Sequence, residues 1–142
     1  MGTTLLGLVL DSSILITAER RGLTPRQAIE TVQIRIGELP LVLSAVTVAE
    51  IGHGIYRANT TEIRDRRRAF LDELKRTIPI QPVTAATAEI IARIGAEQAA
   101  KGITLPLADL IIGSCALELG YAVGTGNIRD FSRIPGLVVI RL

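Results

Sequence analysis

The sequence predicts a single α/β domain in which helices cover both faces of a mainly parallel β-sheet. Short apolar runs at residues 5–10, 41–43, 121–125 and 138–140 have the length and character of buried strands. Helical patterns separate most of these runs, and strands that alternate with helices favour a parallel sheet. The chain has 142 residues and no internal repeat or linker, which is the size of one domain. We therefore predict one three-layer α/β/α sandwich over residues 1–142.

The predicted helices are recognised by their capping residues or by an amphipathic pattern. Thr24 precedes Pro25, and Gln27 completes a capping box, so a helix is expected to start there. Thr47 and Glu50 have the same spacing after the second strand, and we predict a helix from Thr47 to about residue 58. The other predicted elements are an amphipathic helix at residues 62–76, an extended stretch at 78–83, an Ala-rich helix from Thr84 to Lys101-Gly102, a helix at 107–119 that begins after Pro106 and ends at Gly120, and a loop or short helix at 126–135.

Composition narrows the classes of protein that the chain can belong to. Hydrophobic residues make up 48% and aromatic residues only 3%, so the core must be aliphatic, and an aromatic platform for single-stranded bases is not expected. No apolar run has the length or flanks of a membrane span or signal peptide, and Leu6 stands where an N-myristoylation signal needs Ser or Thr. The single cysteine, Cys115, cannot form an internal disulfide. We expect a cytoplasmic protein that does not associate with membranes.

Four acidic residues follow predicted strands or open the helices beyond them. Asp11 ends the first strand, Glu50 lies in the first turn of the helix after the second, Asp109 lies in the opening turn of a late helix, and Asp130 follows the strand at residues 121–125. Functional groups of open α/β sheets gather at the carboxyl ends of the strands, so these acids are expected to converge. Converging carboxylates repel unless a cation joins them, and an oxygen-only donor set favours Mg²⁺ or Mn²⁺. Such a site can activate a water toward a phosphodiester.

Each of these acids also has a purely structural interpretation. Asp11 is suited to cap the following helix, and Glu50 is suited to a capping box with Thr47. Asp109 is favoured by the dipole of the helix that it opens, and Asp130 is a common turn residue. The residues alone leave both interpretations open.

A basic run at residues 64–68 is the main concentration of positive charge, although the net charge is only +2. A polyanion such as RNA would suit this run. The alternative is a solvated helix face with i,i+4 ion pairs, for which the candidates are Glu62 with Arg66 and Asp72 with Arg76. We favour the solvated face for each individual arginine of the run.

The acids are embedded in four segments that match a known family in order. The segments are LVLDSSILI at residues 8–16, LSAVTVAEI at 43–51, LADLII at 107–112 and GTGNIRDF at 124–131. Together they span nearly the whole chain. They resemble the PIN-domain family and, within it, the VapC-type toxins of bacterial toxin–antitoxin pairs.

This resemblance implies an activity and a set of partners. Members are divalent-metal-dependent endoribonucleases that hydrolyse RNA phosphodiester bonds, are commonly homodimers, and are neutralised by a small antitoxin protein. The resemblance assigns Asp11, Glu50 and Asp109 to the acidic metal site. Asp130 is the fourth acid, because Asn127 stands where many members have a carboxylate.

The same resemblance suggests supporting residues around the acids. Ser13 is expected to support Asp11 by hydrogen bonding, and Thr125 and Asn127 to hold a phosphate or a metal-bound water. A haloacid-dehalogenase-like phosphatase would require a second Asp where Ser13 stands, and a Walker-type NTPase would require a Gly-rich loop with its Lys, which the sequence lacks. The alternative that stays open is a non-catalytic PIN-like module that binds RNA or protein.

Overall fold

The computed structural model describes residues 4–142 and contains a five-stranded sheet with the order β3-β2-β1-β4-β5. All neighbouring strands pair in parallel. The central strand β1 lies between β2 and β4, so the direction of the strand order reverses there, and ligands of open sheets bind at such a point. The strands are β1 Leu8–Leu10, β2 Leu41–Ser44, β3 Ile80–Gln81, β4 Ala122–Thr125 and β5 Val139–Arg141.

The helices lie in two layers, one on each face of the sheet. On β1, Leu8 and Leu10 pack with the buried side chains of α1 to α4, whereas Val9 packs with those of α5 to α7. This alternation follows from the two-residue period of a strand. The structure therefore confirms the three-layer α/β/α prediction and the aliphatic core. The helices are α1 Ser12–Arg20, α2 Pro25–Ile36, α3 Ala45–Tyr56, α4 Thr61–Thr77, α5 Ala85–Ala99, α6 Leu107–Leu119 and α7 Ile128–Phe131.

Local sequence signals placed several helix ends correctly. The capping box is formed: Thr24 Oγ1 accepts from Gln27 N at 3.2 Å, and Gln27 Oε1 accepts from Thr24 N at 2.9 Å. Helix α6 has the predicted bounds and ends at Gly120, whose φ of 70° is a left-handed conformation that Gly adopts without steric cost. The first strand is shorter than the predicted residues 5–10. The paired register begins at Leu8, opposite Leu41 and Ala122, and Gly7 contributes only its carbonyl oxygen, which accepts from Ala122 N.

The start of α3 differs from the sequence prediction. Ser44 is both the last residue of β2 and the N-cap of α3, and its Oγ accepts from Val46 N at 3.3 Å. Thr47 is consequently a fully buried residue inside the helix, and Glu50 lies in the second turn. The capping-box interpretation of Glu50 is therefore wrong, as is its placement in the first turn.

The basic run lies on α4 and is largely engaged in contacts within the protein. Arg66 Nε lies 2.9 Å from Glu19 Oε1 on α1, and Arg67 Nη1 donates to Gly54 O at 2.7 Å. Arg68 pairs with Asp72 and lies over the ring of Tyr56. The predicted i,i+4 pairs Glu62–Arg66 and Asp72–Arg76 are therefore not the ones formed: Arg66 pairs with Glu19 of α1, and Asp72 pairs with Arg68, one turn earlier on the same helix. Within residues 4–142, no helix combines the length and the apolar character needed to cross a bilayer.

Candidate active site

Asp11 lies at the carboxyl end of β1, where the strand order reverses. Its backbone occupies the N-cap position of α1, yet its side chain makes no capping hydrogen bond. Instead Oδ2 accepts two hydrogen bonds, from Ser13 Oγ at 2.7 Å and from Thr125 Oγ1 at 2.8 Å. The side chain is 6% exposed, so these bonds fix its orientation in a largely buried position. The capping interpretation of Asp11 is wrong.

Thr125 connects the turns that follow β1 and β4. It is fully buried at the end of β4, and its Oγ1 donates to Asp11 while it accepts from Asn127 N at 3.0 Å. Ser13 makes a parallel connection, since its Oγ donates to Asp11 and accepts from Gly126 N at 3.3 Å. The two hydroxyl groups therefore tie the two turns together through one carboxylate.

Glu50 faces α1 from the second turn of α3. Ser12 Oγ donates to Glu50 Oε1 at 2.9 Å, and Ser12 itself is buried. Burial raises the pKa of Glu50, and the negative charge of Asp11 raises it further, while the hydrogen bond from Ser12 acts in the opposite direction. Ser12 is a functional candidate that sequence reasoning missed. Consecutive serines at a helix start point about 100° apart, which is the signal that each could serve a different acid.

Asp109, in the first turn of α6, has a pKa that the charges of the other three acids affect. Burial is the largest cause that raises its pKa to about 6, and the charges of Asp11, Asp130 and Glu50 raise it further in that order. The fold thus brings the four acids within the range at which their charges interact. Of the four acids, Asp109 is the one whose pKa is raised by the charges of all the others.

Asp130 and Asn127 lie on the last short helix. Asp130 is the third residue of α7, so it lies in a helix rather than in a turn. Asn127 is the N-cap of α7, and its Oδ1 accepts from Arg129 N at 3.3 Å. The side-chain oxygen of Asn127 is therefore occupied by a structural hydrogen bond, and the residue itself is exposed.

The donor chemistry of the four acids fits a hard divalent cation. Carboxylate oxygens are the ligands that Mg²⁺ and Mn²⁺ prefer, and a cation would relieve the repulsion that raises the pKa of Asp109. In the part of the chain that the structure describes, no three His, Cys, Asp or Glu side chains are already grouped as a complete ligand set. The acids are coupled by charge across the edge of the sheet rather than held at ligand distance from one another.

Cysteine chemistry plays no part in this arrangement. Cys115 is buried in α6, and its pKa is raised to about 11 by burial and by the charge of Glu118. A thiol with this pKa stays protonated at neutral pH and is a poor nucleophile. The carboxylates are therefore the reactive groups of this site.

Comparisons with known proteins identify the family to which this fold belongs. The PIN domain family matches residues 8–137 of the chain. Ribonuclease VapC1 of Rickettsia felis is 31% identical over 135 residues, which cover 95% of this chain and 96% of that protein. The tRNA(fMet)-specific endonuclease VapC of Shigella flexneri is 28% identical over 134 residues, which cover 94% and 96%. The chain therefore belongs to the PIN-domain family, among its VapC-type members.

Solved structures confirm the same architecture. VapBC-5 from Mycobacterium tuberculosis matches with a TM-score of 0.73 and 27% identity, over 96% of this chain and 99% of that one. VapBC2 from Rickettsia felis, solved bound to a DNA fragment from its promoter, matches with a TM-score of 0.79 and 21% identity, over 94% and 97%. Both comparisons cover nearly all of this chain, so the PIN-like fold that the four sequence segments indicated is confirmed.

Proposed function

We propose that this chain is the toxin of a toxin–antitoxin pair, a divalent-metal-dependent endoribonuclease that hydrolyses RNA phosphodiester bonds. The names of its VapC relatives support the ribonuclease assignment, and the description of VapBC-5 as a member of a family of toxin–antitoxin systems supports the toxin assignment. The observation that supports the metal dependence is the convergence of Asp11, Glu50 and Asp130 on Asp109, whose pKa is raised by burial first and then by the charges of these three acids. Four mutually repelling carboxylates at the reversal point of a parallel sheet suit a cation and an anionic substrate together.

The four acids would hold Mg²⁺ or Mn²⁺ at the carboxyl edge of the sheet. When bound, such a cation makes a water nucleophilic near neutral pH and offsets the charge that develops on the leaving oxygen. Asp11 would contribute Oδ1, since its Oδ2 already accepts from Ser13 and Thr125. Glu50 would contribute Oε2, since Ser12 holds Oε1.

The remaining polar residues would orient the acids and the substrate. Ser13 and Thr125 keep Asp11 in one orientation, and Ser12 does the same for Glu50. Asn127 uses Oδ1 to cap α7, which leaves its Nδ2 to donate to a phosphate oxygen of the RNA. In this proposal none of these four residues takes or gives a proton in the reaction.

A small antitoxin protein is the proposed partner, and a homodimer is the proposed form of the free toxin. The structural relatives are VapBC complexes, which supports the antitoxin assignment. The homodimer rests on the family resemblance alone. Sedimentation of the purified chain tests it directly, and a monomer at all concentrations would contradict it.

The decisive test is metal-dependent cleavage of RNA by the purified chain. Cleavage should require Mg²⁺ or Mn²⁺ and should be lost in Asp11→Asn and Asp109→Asn. Asp65→Asn is the matched control, because Asp65 is an exposed acid on α4 and its substitution should leave cleavage unchanged. Cleavage that persists in excess chelator, or in both site variants, would contradict the mechanism. Binding of RNA without cleavage by the wild type would instead favour the non-catalytic module.

A further inference from the structure

A groove of about 520 Å³ lies beside α1 and continues to the edge of the acidic site. Its walls come from α1, α2, the turn after β4 and the last residue of the chain, and its apolar part includes Ile14, Leu23 and Val32. A cavity of this size is in the range of sites that bury a ligand of one or two nucleotides.

The charged side chains that line this groove are all basic. Arg21 and Arg35 line it, and no Asp or Glu does. Arg21 is exposed, and Arg35 Nη2 makes only a long hydrogen bond of 3.4 Å to a main-chain oxygen, so both guanidinium groups keep donors for a ligand. Two unopposed arginines beside an apolar wall are complementary to an anion that also carries apolar surface.

A second cavity on the opposite side of α1 has a different character. It measures about 90 Å³, and Glu19 and Glu50 face Arg20 and Arg67 around it. It is therefore too small for a nucleotide, and its charges are balanced. The contrast identifies the large groove as the surface near the acidic site that suits a polyanion.

The groove borders the acidic site through two of its lining residues. Ser13 and Asn127 belong to the lining, and Ser13 Oγ donates to Asp11 Oδ2 at 2.7 Å. A strand of nucleotides in the groove would therefore end one residue away from Asp11. This adjacency favours the substrate over a protein partner as the occupant.

We propose that this groove binds the single-stranded nucleotides that flank the scissile phosphate of the RNA substrate. This inference rests on the proposed function and extends it from the site of cleavage to the binding of the strand. Arg21 and Arg35 would contact phosphates. Bases would stack on the planar guanidinium groups and on the apolar wall, because the chain has few aromatic residues for them to stack on.

The test compares two double variants that remove the same positive charge. Arg21→Gln with Arg35→Gln changes the groove, whereas Arg93→Gln with Lys101→Gln changes exposed residues on and just after α5, on the other face of the sheet. Binding of a fluorescent single-stranded oligouridylate is measured in an Asp11→Asn background, so that the probe is not cleaved. The groove variant should raise Kd about tenfold and reduce the salt dependence by roughly 0.7 per lost phosphate contact. The control variant should do neither.

Cleavage rates separate this inference from the proposed function. With the native Asp11, the groove variant should cleave the oligomer more slowly at subsaturating concentration, yet cleave the dinucleotide UpU at the wild-type rate, because the only phosphate of UpU is the scissile one and none is left to contact the arginines. Equal oligomer Kd values for the groove and control variants would overturn the groove assignment and leave the nuclease standing. If the wild type binds oligouridylate through the arginines without cleaving it, the groove stands and the nuclease fails. A groove variant that keeps RNA affinity but loses affinity for poly-L-glutamate would make the groove a protein-docking surface and overturn the proposal.

Discussion

The two halves of the acidic site are held in different ways. Asp11 and Glu50, on the side of α1 and α3, accept hydrogen bonds from serine and threonine hydroxyls. Asp109 and Asp130, on α6 and α7, have no side-chain hydrogen bond within residues 4–142, and Asp109 has a pKa raised to about 6. Hydroxyl donors orient the first pair and stabilise its charge, whereas the second pair is placed by the helix backbone alone. We infer that the first half is ordered in advance and that the second half depends on a cation to relieve its repulsion.

If the first pair of acids is ordered by hydroxyl groups, removal of the Thr125 hydroxyl that orients Asp11 should cause the largest loss of RNA cleavage among the hydroxyl variants. Thr125→Val deletes the 2.8 Å hydrogen bond to Asp11 and the acceptor for Asn127 N without a change of shape. RNA cleavage should fall about 10- to 100-fold, the usual cost of losing a residue that orients a metal ligand. Thermal unfolding should show a loss of roughly 1–3 kcal/mol from the buried groups left unpaired.

A matched control separates orientation of the acid from loss of stability. Thr87 is equally buried and donates to Glu118 Oε1 at 2.6 Å, but Glu118 lies about 13 Å along α6 from Asp109. Thr87→Val should therefore destabilise the fold and leave cleavage nearly unchanged. Equal losses of cleavage in the two variants would mean that Thr125 acts only through stability.

The two consecutive serines should differ from each other in a second comparison. Ser12→Ala removes the hydrogen bond from Ser12 to Glu50 Oε1 and should raise the pKa of Glu50 further, because that hydrogen bond lowers it. Ser13→Ala leaves Asp11 still bonded to Thr125. Cleavage should fall roughly tenfold in Ser12→Ala and less in Ser13→Ala, as measured at saturating Mn²⁺. The reverse order would show that Ser13, and not Ser12, is the more important of the two.

The stability of Asp109→Asn should depend on pH in a direction that the raised pKa fixes. The pKa of Asp109 is about 6 in the folded chain, whereas the ordinary pKa of 3.8 applies in the unfolded chain, so the folded chain takes up this proton at a higher pH. The stability that this group contributes therefore falls as pH rises between those values and stays low above pH 6. Asn carries no charge, so the variant should melt a few degrees above the wild type at pH 7, with the difference vanishing toward pH 4. The gain is small because the side chain is only partly buried.

The exposed acid Asp65 provides the control for this measurement. Asp65→Asn should show no comparable gain at neutral pH, because that side chain is solvated on α4. A loss of stability in Asp109→Asn at pH 7 would contradict the account of Asp109 as a destabilised acid.

Local sequence signals predicted several helix ends, whereas the start of α3 depended on contacts that are distant in sequence. Thr24 with Gln27 and Gly120 fixed helix ends correctly, since capping depends on residues only a few positions apart. Ser44 and Thr47 are both suitable N-caps, and only the end of β2 decides between them.

Contacts within the site were predictable only in part for the same reason. The family resemblance singled out the four acids, and the chain order placed them near one edge of the sheet. The hydrogen bond from Ser12 to Glu50 joins residues 38 positions apart, and the ion pair of Arg66 with Glu19 joins residues 47 apart. Such partners depend on how α1 packs against α3 and α4, which no local pattern in the sequence records.

Calorimetric titration of Mn²⁺ into the purified chain tests the central claim most directly. The titration is performed near pH 6 in two buffers of different ionisation enthalpy, so that proton release is measured together with binding. The account predicts saturable binding with net proton release, because the cation displaces the proton that the raised pKa leaves on Asp109. In Asp109→Asn the proton release should largely disappear and the affinity should fall. Absence of binding, or unchanged proton release in the variant, would contradict a cation site built from the four acids.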